Sequence, residues 1–150
     1  FYSADDWELT MRINVSAAFL LTKYLLPFLK KSMDGRVVFT SSSVGRKARG
    51  HWGAYAVSKF ALEGLMQVLA DELDNTSKIR INSLNPGGIR TSMRRTAYPA
   101  ENPSANPPPE VLMPLYLYLF SSESRNINGQ ALNFKDFNPS IYSRPAQSDE

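Results

Sequence analysis

Two short apolar runs, residues 36–41 (RVVFTS) and 79–84 (IRINSL), flank a long stretch with helical periodicity. The first is rich in β-branched and aromatic residues and reads as a buried strand. Between the runs, from about Ala54 to Leu73, Leu62, Leu65, Met66, Leu69 and Leu73 form one apolar stripe. Val57, Ala61, Gly64 and Val68 form a second, so a helix buried on two faces is expected. Strand, helix and strand in this order make a βαβ unit, whose strands are parallel and whose sheet needs cover on both faces. The fold class is therefore α/β.

The rest of the chain fits this plan. A long helix is expected over residues 4–31, with Ser3 and Asp6 at capping-box spacing and a kink or break at Pro27. A glycine-containing loop with His51-Trp52 follows the first strand. Residues 91–109 hold five prolines and little periodicity, which predicts a long loop covering a substrate. A helix to Phe120, a last strand over 129–134 and a polar tail over 138–150 complete the reading.

Composition closes several routes. With no cysteine and only His51, disulfides, thiolate catalysis and a multi-histidine metal site are excluded. The formal net charge of +3 has one short basic cluster, Arg46, Lys47 and Arg49, read as a solvated loop rather than a nucleic-acid surface. No apolar run approaches the ~20 residues of a membrane span and no signal-peptide pattern opens the chain, so a cytoplasmic location is expected. A start at Phe1 rather than Met is expected of a fragment or processed product.

Tyr55 and Lys59, four apart at a helix start, share one face. A tyrosine hydroxyl is a poor acid or base at neutral pH, and an ammonium group a few ångströms away favours the phenolate. Ser42 lies just past a strand end, where ligands sit in open α/β sheets, although Ser41, Ser42 and Ser43 can also simply cap that end. Asn85-Pro86-Gly87-Gly88 can bring backbone close to a flat ligand or form a plain tight turn.

Taken together, Ser42-Ser43-Val44-Gly45, Tyr55-Ala-Val-Ser-Lys59 and the run from Ile81 through Asn85-Pro86-Gly87-Gly88-Ile89 to Thr91 resemble the short-chain dehydrogenase/reductase family. Ile13-Asn14-Val15 is similar to that family's asparagine on the preceding helix. The resemblance implies Tyr55 as general acid/base, Lys59 favouring its phenolate while bonding the nicotinamide ribose, and Ser42 orienting the substrate oxygen. Asn14 would support a proton-relay water near Lys59. Pro86, Gly87 and the Ile89 backbone would line the nicotinamide of NADP or NAD, with a lean to NADP, and Thr91 would bond the cofactor's amide or phosphates.

The family's glycine-rich turn has no counterpart here. None of the eight glycines gives its spacing after a strand. Residues 1–150 are therefore expected to be the C-terminal catalytic portion of a Rossmann-type doubly wound parallel sheet, lacking the N-terminal dinucleotide-binding half. Activity on a small carbonyl or alcohol substrate is expected of the full-length parent, as a homodimer or homotetramer. A sugar-nucleotide epimerase is disfavoured by the compact span after Pro86, and a serine hydrolase using His51 by the lack of G-x-S-x-G. A non-catalytic relative that only binds or oligomerises need not keep Asn14, Ser42, Tyr55 and Lys59 together.

Overall fold

A computed structural model describes residues 2–138; the expected polar tail lies, but for Asn138, outside them. Ser3 caps the first helix, its Oγ accepting the Asp6 N–H at 3.0 Å. The predicted single helix is α1 (Ala4–Met11), a π-helical turn (Arg12–Ser16) and α2 (Ala17–Leu29). The irregularity falls at Asn14 and not, as expected, at Pro27. Pro27 sits in the last turn of α2, and the helix runs on through it: the Lys30 N–H bonds to the Leu26 carbonyl at 2.9 Å just beyond. A π-turn re-aims the side chains it carries.

β1 (Arg36–Thr40), α3 (Gly53–Asp74) and β2 (Arg80–Asn85) form the expected βαβ unit. β3 (Ala131–Asn133) adds to the far side of β2, giving a three-stranded parallel sheet in the order β1-β2-β3. β1 pairs with no second strand among the described residues. The period-two alternation of strands sorts the core into two layers. Phe39 and Ile81 meet Leu62, Met66 and Ala70 of α3 on one face. On the other, Leu84, with Val38 and Leu132, meets Leu115 and Leu119 of α5, which spans Met113–Phe120. Met66, Ile81 and Leu84 are fully buried, each contributing about 2 kcal/mol by transfer from water. Cover on both faces is the doubly wound arrangement.

Three expectations need correction. The second stripe of α3 is not buried: Val57 and Val68 are 43% and 54% exposed, because the described residues present only one sheet to this helix. The segment 91–109 is not a plain loop. It holds α4 (Ser92–Ala97), capped by the Thr91 Oγ1 accepting the Arg94 N–H, and a 3₁₀ turn at Pro103–Ala105. A helix of six residues is too short to leave a periodic signal. The predicted last helix also divides, into a 3₁₀ turn (Pro109–Leu112) and α5. No helix among the described residues is long and apolar enough to cross a membrane.

Candidate active site

The carboxyl ends of β1 and β2 open into a cleft of about 550 Å³. Ser42, Tyr55, Lys59, Pro86, Gly87, Ile89 and Thr91 all line it, so seven of the eight residues singled out from the sequence converge there. Asn14 does not. It stands behind α3, where its Nδ2 donates to the Ser58 Oγ at 3.0 Å. The Ser58 hydroxyl donates in turn to the Tyr55 carbonyl at 2.8 Å, so the π-turn braces the first turn of α3 through a fully buried serine.

The helical i, i+4 spacing brings Lys59 beside Tyr55, with Nζ 5.6 Å from the ring centre. Nζ donates to the Thr40 carbonyl at 2.9 Å, which ties α3 to the end of β1. Burial pulls the Lys59 ammonium below the ordinary lysine range, because the charged form loses solvation. The turn after Ser42 approaches α3 so closely that a Cβ on Gly45 would lie 2.8 Å from the Lys59 Cβ. Only glycine permits this approach, and it holds Ser42 at the cleft. The Ser42 Oγ accepts the Val44 N–H at a long 3.5 Å, which leaves its hydrogen free to turn into the cleft.

At the end of β2, the Asn85 Oδ1 accepts the Gly87 N–H at 3.1 Å, an Asx-type turn. Gly87 has φ +75°, a left-handed conformation that a side chain would strain, and the space beside it is open. Thr91 is committed as the acceptor of the α4 cap, yet its hydroxyl hydrogen remains a donor.

Two features of the site carried no sequence signal. Ser41 lines the cleft with a buried hydroxyl that has no hydrogen-bond partner. Arg46, expected to be solvated with Lys47 and Arg49, instead turns inward. Its guanidinium donates to Glu63 at 3.0 Å, the Asn133 Oδ1 at 2.7 Å and the Leu132 carbonyl at 2.9 Å. The Ser83 hydroxyl donates to the other Glu63 oxygen at 2.6 Å. Asn85 Nδ2 donates to the same Asn133 oxygen at 3.1 Å, so this network reaches the turn at Gly87. The basic cluster looked uniform in sequence because its three members lie within four positions. Facing was decided by β3, nearly ninety residues downstream.

The residues present fit the nicotinamide end of a dinucleotide. An unpartnered buried hydroxyl on Ser41, a desolvated ammonium on Lys59 and the open Gly87 backbone all line the same cleft as the Asn85-Pro86-Gly87 turn. Nothing in the chain offers the glycine-rich turn that would hold a pyrophosphate.

Comparison with known proteins agrees with the geometry. A family profile described as short chain dehydrogenase matches residues 1–102. The uncharacterized oxidoreductase YciK of Escherichia coli (strain K12) is 53% identical over 127 residues, covering 85% of this chain and 50% of YciK. A short chain dehydrogenase structure from Pseudomonas syringae is 60% identical, with a TM-score of 0.85 over 87% of this chain and 53% of that one. Another, from Shigella flexneri 2a str. 301 and complexed with NADP, is 52% identical, with a TM-score of 0.84 over 87% and 54%. The chain thus spans about half the length of the relatives it matches. Its parallel sheet, its Ser42, Tyr55 and Lys59 about one cleft, and a family match over most of its length make this chain a member of the short chain dehydrogenase family.

Proposed function

We propose that the full-length protein is an NAD(P)-dependent oxidoreductase that moves hydride between a nicotinamide and a small carbonyl or alcohol substrate, with NADP preferred. The convergence of Tyr55, Ser42 and Lys59 on one cleft, walled by the Asn85-Pro86-Gly87 turn, carries the reading. The NADP-bound relative from Shigella flexneri supports the cofactor preference. On this reading residues 1–150 are the C-terminal catalytic portion of a Rossmann-type domain, segment 91–109 covers the substrate, and the pyrophosphate-binding turn comes from elsewhere in the protein. The reading includes a cytoplasmic location.

Bound NADPH supplies the hydride. Tyr55 gives its hydroxyl proton to the substrate oxygen in the direction of reduction, and takes it back in oxidation. Ser42 holds that oxygen through its free hydroxyl hydrogen. Lys59 favours the phenolate left on Tyr55 and, with the Ser41 hydroxyl, holds the nicotinamide ribose side. Asn14 acts through Ser58, bracing the first turn of α3 that carries Tyr55 and Lys59. Pro86, Gly87 and the Ile89 backbone wall the nicotinamide, and the Thr91 hydroxyl donates to its amide or phosphates.

Lys59→Met tests the cofactor side. Removing a desolvated charge that has no carboxylate partner among the described salt bridges should leave Tm at or above the wild-type value. NADPH affinity, read by fluorescence titration of the full-length protein, should weaken by about tenfold or more with the loss of a charge-assisted hydrogen bond. Unchanged NADPH affinity would remove Lys59 from the cofactor site.

A homodimer or homotetramer is part of the proposal. Phe19, Leu21, Tyr24 and Phe28 of α2 and Val57, Phe60 and Val68 of α3 expose apolar surface that two copies can bury isologously. Sedimentation of the full-length protein should give twice or four times the monomer mass. A monomer at micromolar concentration would sink the assembly.

A further inference from the structure

Past Ser42 and Tyr55 the cleft is walled by aromatic and apolar side chains. Trp52 lies three residues before Tyr55, with ring centroids 5.8 Å apart. Tyr98, just beyond α4, lies 6.4 Å from Trp52 at an interplanar angle of 50°, so the two rings form a corner. Met93, Ala97 and Tyr2 extend this wall.

The charged side chains lining the cleft are Lys59, already assigned to the chemistry, and Arg94; the exposed His51 also lines it. Arg94 is engaged along its Nε edge. Its Nε and an η nitrogen each donate at 2.7 Å to the two oxygens of Glu101, a bidentate fork. Asn106 Nδ2 donates to Glu101 at 2.9 Å, and the guanidinium carbon stands 3.9 Å over the Tyr98 ring. The Arg94 bond holds the Glu101 carboxyl below the usual carboxylate range, so the pair stays ionised and internally neutral. With its charge neutralised by Glu101, Arg94 offers a substrate carboxylate or phosphate no net positive charge. The same contacts fix Tyr98 against Trp52.

We infer that the substrate is an uncharged aryl aldehyde or ketone, seated in the Trp52–Tyr98 corner with its carbonyl toward Ser42 and Tyr55, and that the internally neutral Arg94–Glu101 pair disfavours anionic analogues. This rests on the oxidoreductase reading. In the reduction the carbonyl carbon gains hydride and the oxygen gains the Tyr55 proton, NADPH leaves as NADP⁺, and solvent reprotonates Tyr55.

The test measures kcat/KM of the full-length protein with NADPH on three probes: 4-methylbenzaldehyde, 4-carboxybenzaldehyde and butanal. 4-Methylbenzaldehyde should exceed each of the others by about tenfold or more, the scale of discrimination one pocket contact supplies. Trp52→Ala should reduce the ratio of 4-methylbenzaldehyde to butanal by about tenfold. Glu101→Gln, which loosens the fork, should raise the ratio of 4-carboxybenzaldehyde to 4-methylbenzaldehyde by a similar factor. Preference for butanal or the carboxylate, or ratios unmoved in both variants, overturns the substrate class. It falls alone if some other carbonyl compound is reduced in a Tyr55-dependent way. If no carbonyl compound supports NADPH oxidation, the oxidoreductase reading falls with it.

Discussion

Tyr55→Phe in the full-length protein is expected to lower turnover by about 10³-fold, within the range a positioned general acid contributes, while NADPH binding stays measurable. The substitution removes one oxygen and keeps the ring, so packing against Trp52 and the approach of Lys59 are preserved. Steady-state NADPH oxidation reads the first effect and cofactor fluorescence the second. Wild-type turnover in this variant would show that the proton comes from another group, and the mechanism built on Tyr55 would have to be abandoned.

Glu63→Ala should produce the largest loss of stability. Glu63 is 5% exposed and accepts from Arg46 and Ser83 on its two oxygens. Truncation strands a mostly buried guanidinium and a fully buried hydroxyl. The expected cost is about 3 kcal/mol, the lower end for breaking a buried pair, since the Arg46 side chain keeps some exposure. For a domain of this size that lowers Tm by on the order of 10 °C. Glu63→Gln, which keeps an acceptor for one partner and the same shape, should cost less. Because Asn133 links Arg46 to Asn85, and Asn85 holds the Gly87 turn, NADPH affinity should fall alongside Tm. Thermal denaturation of the full-length variants checks this. A change in Tm under about 2 °C for Glu63→Ala would mean that the pair is worth no more than a surface ion pair.

The two cases differ in how far the sequence alone leads. Tyr55, Lys59 and Ser42 were legible because their relation is local. A four-residue helical spacing puts the first two on one face, and a strand end followed by glycine puts the third beside them. The βαβ order was legible for a similar reason, since strand and helix periods differ and each run holds its period for its full length. The Thr91 cap and α4 left no trace, because six residues cannot establish a period. The break at Asn14 was misplaced to Pro27: proline is a visible helix breaker, whereas a π-turn is drawn in by a partner, Ser58, forty-four positions away.

What the sequence determined by itself was the α/β class, the parallel pairing of the strands around α3 and the trio that faces their carboxyl ends. These follow from short-range geometry that any packing of the chain must respect. The tertiary structure decided which charges turn inward and which walls the cleft has. Arg46 and Lys47 are adjacent in sequence, yet only Arg46 meets Glu63 and Asn133. Likewise Trp52 and Tyr98 come from separate segments, and Arg94 is neutralised only because Glu101 folds back onto it. Whether a charge is solvated or satisfied inside depends on partners that only the folded chain brings within hydrogen-bonding distance, and no local period encodes them.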